Sequence, residues 1–416
     1  MSKTFEKIVM VGLGYIGLPT AAIIASRGVK VIGVDVDQHA VDTINKGAVH
    51  IVEPDLDIVV RSVVTTGNLR ATTKAEPADA FLVAVPTPFN EDRTPNLSYI
   101  KSAALSLAPV LEAGNLVVLE STSPVGTTEQ LADWLAAERP DLSFPQTAGA
   151  NADIQVAYCP ERVLPGQVLQ ELVNNDRIIG GMTSHCAERA SELYRIFVKG
   201  DCLVSSARTA ELCKLTENAY RDVNIAFANE MSLVCDPLHV NVWELIEMAN
   251  RHPRVNILTP GPGVGGHCIA IDPWFIVNSA PTLARLIRTA REVNDSKPEH
   301  VVRKVLEKAD RFKRPCIACF GLSFKANIDD LRESPALQIV EQLAAQNVAR
   351  LLVVEPNISV LPESLIHNAD IELVSIEQAI DQSDIVLGLV DHTEFSALDR
   401  ESLTESVVID TRGMWR

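Results

Sequence analysis

One stretch restricts the fold of this chain more than any other: Lys7-Ile-Val-Met-Val11, then Gly12-Leu-Gly14-Tyr-Ile-Gly17, then a helix-like run from Thr20 to Arg27 closed by Gly28. A short apolar strand, a turn with glycines at fixed offsets and a helix make a βαβ opening once the next strand is added. That strand, residues 30–34, ends on Asp35, 18 residues beyond the last glycine. In this setting Gly12, Gly14 and Gly17 allow a tight turn and a close approach of backbone to a pyrophosphate, and the helix N-terminus stabilises its negative charge. Asp35 is placed to accept hydrogen bonds from a ribose, which favours NAD over NADP because a 2′-phosphate would face a carboxylate. Residues 8–25 form an 18-residue run without a charge, which a membrane span or a signal peptide would also show. The glycines and proline inside the run, and the acid beyond it, favour the strand–turn–helix reading.

Further apolar, β-branched segments at 80–85, 116–119, 155–158 and 177–180 suit a parallel sheet covered on both faces. Three of them lead into polar turns: Val85-Pro-Thr87-Pro88, Glu120-Ser-Thr122-Ser-Pro-Val-Gly-Thr-Thr128, and Cys159-Pro-Glu161-Arg162-Val163-Leu-Pro-Gly166. Each could be turn chemistry alone, but three in one sheet point to a shared cleft outside the carboxyl ends of the strands. From about residue 209 to 235 the pattern becomes a long helix. Lys214, Asn218 and Arg221 share one of its faces, either solvated or turned inward. A basic turn, Asn250-Arg-His252-Pro-Arg254, suits a phosphate.

The stretch from Gly261 to Pro273 then reads Gly-Pro-Gly-Val-Gly-Gly-His-Cys-Ile-Ala-Ile-Asp-Pro. Four glycines and a proline before Cys268 preclude a helix or central strand, so this is a loop whose backbone is free to approach a ligand. Such a loop can leave a thiol accessible enough to act as a nucleophile, although most free cysteines are simply buried. Beyond a helical stretch through Arg291 and Asn294, a second α/β pattern begins, with strands at 316–322, 350–354, 384–390 and 407–410 and a helix opened by Ser334-Pro335. It has no G-x-G-x-x-G of its own. Lys325 and Arg332 stand beside its first strand end. Cys316-Ile-Ala-Cys319 lies inside that strand without a second pair of ligands, so a buried strand is preferred to a metal or redox site, and no metal is expected.

At 416 residues, two or three domains are expected. The 54 acidic against 37 basic residues give a net charge of −17, which argues against nucleic-acid or anionic-membrane partners. Eight cysteines without the spacing of a small disulfide scaffold suggest reduced thiols in a cytoplasmic protein.

Taken together, Gly12 to Gly17, Ser121-Thr122, Pro160-Glu161, the Lys214/Asn218 helix, Gly265-Gly-His-Cys268 with Asp272, and Phe324-Lys325 with Arg332 resemble the nucleotide-sugar 6-dehydrogenase family, which includes UDP-glucose dehydrogenase. The resemblance covers nearly the whole chain. It implies an α/β fold of two Rossmann-like doubly wound domains joined by a long central helix and helical region. The NAD-binding domain would span residues 1–205, a central helical domain with the cysteine loop and a dimer interface 206–312, and a UDP-binding domain 313–416. Ile271 and Pro165 depart from the UDP-glucose branch and fit the branch that acts on 2-acetamido sugars. The activity implied is NAD-dependent oxidation of the sugar C6 alcohol to a carboxylate in cytoplasmic polysaccharide biosynthesis, by a homodimer. By the same resemblance, Cys268 is the nucleophile and Lys214 the base, while Asp272 and Glu161 orient the lysine or a water. Tyr15, Ile16, Asp35, Thr87, Thr122, Thr128 and Arg332 fall to NAD. Arg162, Val163, Lys214, Asn218, Arg221, His252, Arg254, Gly265 and Lys325 fall to the UDP-sugar. The rivals are a two-domain NAD-dependent hydroxy-acid dehydrogenase, which needs neither Cys268 nor a second α/β domain, and a non-catalytic NAD- or nucleotide-sugar-binding regulator, against which Lys214 and Cys268 speak.

Overall fold

The computed structural model describes residues 5–90, 92–163, 166–266 and 268–416. Leu164 and Pro165 of the third turn and His267 of the cysteine loop lie outside the described residues. The chain divides into two compact units, Met1–Thr216 and Glu217–Arg416.

The first unit is built on an eight-stranded sheet: β1 (Lys7–Val11), β2 (Lys30–Val34), β3 (Leu69–Thr72), β4 (Ala80–Val83), β5 (Leu116–Leu119), β6 (Gln155–Tyr158), β7 (Arg177–Gly181) and β8 (Cys202–Ser206). Their spatial order is β3-β2-β1-β4-β5-β6-β7-β8. Because side chains alternate across a strand, Ile8 and Met10 enter one hydrophobic layer while Val9 and Val11 enter the layer on the opposite face. Both layers are buried, which is why the strands read as continuous apolar runs rather than alternating ones. Each such side chain contributes roughly 1.5–3 kcal/mol by leaving water. The expectation of a wholly parallel sheet needs one correction: β6 and β7 pair antiparallel, Ala157 opposite Gly181. At the end of β7 a Cβ on Gly180 would stand 2.7 Å from the Cα of Ala207, so glycine there lets the long helix Ala207–Leu238 begin directly against the sheet. The uncharged run resolves into β1 and the helix Gly17–Ser26, and no helix among the described residues is long and apolar enough to cross a membrane.

In the second unit, helices Val242–Ala249, Asp272–Ser279 and Arg285–Ala309 precede a five-stranded parallel sheet. Its strands are β9 (Cys316–Phe320), β10 (Arg350–Val354), β11 (Ile371–Leu373), β12 (Ile385–Gly388) and β13 (Val407–Asp410), in the order β11-β10-β9-β12-β13. Again two layers flank it, Ile317, Leu351 and Leu387 on one face, Ala318, Leu352 and Val386 on the other. Cys319 is buried inside β9, where burial pushes its thiol up to about 12. No disulfide forms among the described residues. Pro298 sits within the helix Arg285–Ala309 rather than ending it. Having no N–H, it leaves the Asn294 carbonyl without its helical donor. Gly263 packs over that carbonyl, a Cβ there standing 3.4 Å from it.

Candidate active site

In the first unit the three glycines after β1 do different jobs. Gly12 has φ +89°, and a Cβ on it would lie 2.5 Å from the Ala84 carbonyl oxygen; one on Gly17 would lie 1.8 Å from the Gly12 oxygen. Both are demanded by the fold. Gly14 is exposed, and a Cβ there would meet nothing within 4 Å. Its missing side chain matters only to a visitor. The helix beyond it has no side-chain cap at Ile16, so its first N–H groups and positive dipole end are left for an anion. Tyr15 is exposed and Ile16 half-buried beside them. Asp35, half-buried at the end of β2, accepts from the backbone N–H of Leu13 (2.7 Å) and of Asp37 (3.0 Å). Its carboxylate therefore closes the glycine turn while staying partly open to solvent. Beyond β4, the Thr87 hydroxyl is buried without a hydrogen-bond partner, a vacancy that a polar ligand atom would satisfy. Thr122 is half-buried after β5. Thr128 is fully buried, and its hydroxyl and N–H both donate to Glu211, at 2.6 and 2.8 Å. Glu211 also takes the N–H of Gly126 and so caps the helix Thr127–Glu138 from outside. These residues fit a dinucleotide: an open glycine, a bare helix N-terminus, an acid at the second strand end and an orphaned hydroxyl.

At the end of β6, Glu161 is buried with both oxygens engaged. One accepts from the backbone N–H of Arg162 (2.6 Å), the other from Arg177 Nη1 (2.7 Å). Arg177 also donates to the Leu172 carbonyl. Next in the same cluster, the Tyr194 hydroxyl donates to Glu120 at 2.5 Å, and burial pushes the Glu120 carboxyl up to about 7. The thiol of Cys159, buried in the same cluster, is pushed up for the same reason. Arg162 and Val163 are half-buried at the mouth of this turn. The sequence places Glu120 in a polar turn without a role of its own, and it leaves Arg177 and Tyr194 without one. The one signal was a charged residue opening an otherwise apolar strand.

The long helix carries its polar residues inward as well as outward. Glu211, Asp222 and Asn229 are fully buried, Lys214 and Asn218 half-buried and Arg221 exposed. Within the second unit, Asn218 donates its side-chain N–H to Asp272 Oδ2 at 2.5 Å. Asp272 is 3% exposed and opens the helix Asp272–Ser279. Its N–H, with that of Ile271, donates to the Cys268 carbonyl at 2.9 and 3.1 Å. Cys268 itself is exposed. The thiol thus sits on a turn one step before a buried acid.

The glycines of this loop are explained by the chain's own packing. A Cβ on Gly265 would lie 2.2 Å from the Glu333 carbonyl oxygen and 2.7 Å from Pro335. One on Gly266, at φ +83°, would lie 2.8 Å from the Phe324 ring. The loop is pressed onto the segment from Phe324 to Pro335 and so holds Cys268 outward. Its start is fixed too: Gly261 N donates to Asn229 (2.8 Å), Asn229 to Asn294 (2.8 Å), and Asn294 and Arg291 both to Asp222 (2.8 and 2.7 Å). All four side chains are buried. Lys325 is exposed, and Arg332 is exposed and forks onto Asp330 at 2.8 and 2.7 Å. His252 and Arg254 are exposed on their turn. Among the described residues no group of three or more His, Cys, Asp or Glu is arranged to hold a metal.

Three domain descriptions of the UDP-glucose/GDP-mannose dehydrogenase family match in register: its NAD binding domain over residues 6–198, its central domain over 208–296 and its UDP binding domain over 318–416. The chain is 67% identical over 411 residues to an NDP-N-acetyl-D-galactosaminuronic acid dehydrogenase of Ralstonia nicotianae, covering 99% of this chain and 96% of the relative. It is 61% identical over 421 positions to a UDP-N-acetyl-D-mannosamine dehydrogenase of Yersinia pestis, covering 99% and 100%. Among solved structures, a UDP-D-ManNAc dehydrogenase from Pyrococcus horikoshii superimposes with a TM-score of 0.87 at 39% identity, covering 99% of this chain and 96% of that one.

Proposed function

The chain belongs to the UDP-glucose/GDP-mannose dehydrogenase family, and from that premise we propose that it oxidises C6 of UDP-N-acetyl-D-mannosamine to the uronate, as a cytoplasmic homodimer. The observation that carries this reading is an exposed Cys268 held on a rigid loop one turn before the buried Asp272. A dehydrogenase that stopped at an aldehyde or ketone would have no use for that thiol.

NAD supplies the hydride acceptor, used twice for each sugar. Lys214 takes the alcohol proton as the first hydride leaves and then offers its ammonium to the developing oxyanion. The Cys268 sulfur adds to the aldehyde carbon, giving a thiohemiacetal that remains attached while the cofactor exchanges. The thiohemiacetal then gives up its hydroxyl proton to a base and its carbon-bound hydrogen as the second hydride, which leaves a thioester. Water attacks its carbonyl, the C–S bond breaks, and the thiol and carboxylate are released. Both oxygens of Glu161 are already held by Arg177 and by the Arg162 N–H, so Glu161 acts by positioning. Asp272, fixed by Asn218, is the group left to orient the lysine or the hydrolytic water. Arg162, Val163, Asn218, Arg221, Gly265 and Lys325 are the residues the proposal assigns to the sugar nucleotide, with His252 and Arg254 supplied by a second copy. Arg332, paired with Asp330, is the residue assigned to the cofactor pyrophosphate.

The second copy is argued from the long helix. Tyr220, Phe227 and Val234 recur every seven residues with exposures of 72%, 51% and 43%, an apolar stripe that a lone helix would not leave in water. Phe227→Glu should yield a monomer by analytical ultracentrifugation, and a wild-type chain that sediments as a monomer removes this part of the reading.

A second sugar must be kept because the 67% identical Ralstonia relative carries an N-acetylgalactosaminuronic acid name. Absorbance at 340 nm with limiting UDP-N-acetylmannosamine, UDP-N-acetylglucosamine, UDP-N-acetylgalactosamine and UDP-glucose in parallel separates them. The proposal expects about two NADH per UDP-N-acetylmannosamine, and none of the acid product with Cys268→Ser. About one NADH per sugar, or full turnover by the variant, contradicts the covalent mechanism; preference for another sugar corrects the substrate.

A further inference from the structure

Within the second unit, the long helix, the helix Arg285–Ala309 and the end of β13 line an open-sided cavity of about 310 Å³ whose wall does not include Cys268, at the lower end of the range for small-molecule sites. One of its walls is the side chain of Lys297, only 6% exposed. Lys297 Nζ donates to Ser232 Oγ at 2.7 Å. Ser232 uses its own hydroxyl proton on the Asn229 carbonyl, so the serine can only accept from the lysine. Two ammonium protons remain, and among the described residues no carboxylate pairs with them. The acids in the cavity wall are committed elsewhere: Asp236 accepts from Lys304 (2.9 and 3.0 Å) and His300 (3.1 Å), and Asp410 accepts three backbone N–H groups, from Arg412, Gly413 and Trp415.

A buried ammonium with one neutral partner is costly unless something else solvates it. Burial already lowers the Lys297 ammonium to about 8, with Asp236 opposing and Lys304 adding to the shift. Apolar groups, among them Val242, Trp243 and Ile409, form other parts of the wall. One unsatisfied positive charge with two free donors matches one two-oxygen anion.

We propose that this cavity binds a small molecule carrying a single carboxylate on an apolar body, held by Lys297, and that its occupancy is felt at the cysteine loop. The coupling runs through Asn229: Pro260 lines the cavity, the next residue's N–H is held by Asn229, and Asn229 also receives Ser232. The coupling rests on Cys268 being the reactive thiol; the binding does not.

Calorimetric titration of the full chain with benzoate, benzamide and inorganic phosphate tests the site without any turnover. Benzoate should bind, benzamide should bind at least about tenfold more weakly, and Lys297→Met should weaken benzoate at least about tenfold. Val240→Trp, which fills the cavity from an exposed position and leaves Lys297 in place, should weaken it likewise and serves if the lysine variant does not fold. No heat with benzoate, benzoate affinity unchanged in both variants, or phosphate binding in preference overturns the proposal. Alkylation of Cys268 by iodoacetamide, followed by peptide mass mapping, should change about twofold or more on saturating benzoate; an unchanged rate overturns the coupling.

Discussion

The chain contains the same opening twice, once open and once sealed. In the first unit Gly12, at φ +89°, donates to the Val34 carbonyl at 2.8 Å and Leu13 N donates to Asp35 at 2.7 Å. In the second, Gly321, at φ +102°, donates to the Val354 carbonyl at 2.8 Å and Leu322 N donates to Glu355 at 2.8 Å. Strand, glycine turn and an acid at the next strand end are thus reproduced almost bond for bond. Beyond the turn the two halves diverge. After Gly12 come the open Gly14 and an uncapped helix. After Gly321 comes Leu-Ser-Phe-Lys, and the next helix starts only at Pro335, capped by Ser334. Asp35 remains half-exposed, whereas Glu355 is buried under His392, whose Nε2 donates to it at 3.1 Å while its Nδ1 accepts from Asn327 N. Topology provides the crevice in both cases. Only an open glycine beside a bare helix N-terminus makes it a place for a pyrophosphate.

That contrast can be broken most severely at the sealed turn. Glu355→Ala strands His392 and three backbone N–H groups, those of Leu322, Ser323 and Asn357, and should cost about 3 kcal/mol or more in denaturant unfolding. A loss below about 1 kcal/mol would mean that the seal is not structural. Gly321→Ala places a Cβ 2.4 Å from that of Val390 and should cost roughly 2–4 kcal/mol, read the same way. Asp35→Asn, at the equivalent open position, should leave unfolding nearly unchanged and weaken NAD about tenfold, checked by calorimetry; the reverse pattern would cancel the distinction between the two halves.

The smallest effect concerns Glu120. Its folded carboxyl is raised to about 7, chiefly by burial, with the Tyr194 hydrogen bond opposing. The folded state therefore holds this proton more tightly than the unfolded chain. Its contribution is complete below the ordinary carboxylate range and is lost as pH rises through about 7. Stability should fall by about 1 kcal/mol between about pH 6 and 8, and Glu120→Gln should flatten that slope in thermal melts. An unchanged slope would mean that Glu120 ionises freely.

Much of this was legible from residues alone because local chemistry controls it. The apolar runs of β1, β2, β5 and β6 are buried on both faces and read as strands directly. The Gly12–Gly17 turn declared itself through its strand, helix and acid. The strands missed, β3, β8 and β11, have partly exposed residues that give no continuous apolar run. The cysteine loop was harder. Its glycines suggested approach to a ligand, yet they answer to Phe324, Glu333 and Pro335, whose proximity no local pattern reveals. Likewise Arg177 behind Glu161, and Glu211 holding Thr128, are long-range partners that leave only a charged letter in an apolar segment.

The contrast between the open and the sealed turn is tested most directly by calorimetric titration of NAD and of UDP into the wild-type chain and Gly14→Val. Because a Cβ at Gly14 would meet nothing within 4 Å, the variant should fold normally, lose NAD affinity by about a hundredfold and keep UDP affinity. Unchanged NAD binding in Gly14→Val, or a second NAD bound per wild-type chain, would contradict the assignment of the cofactor to the open turn alone.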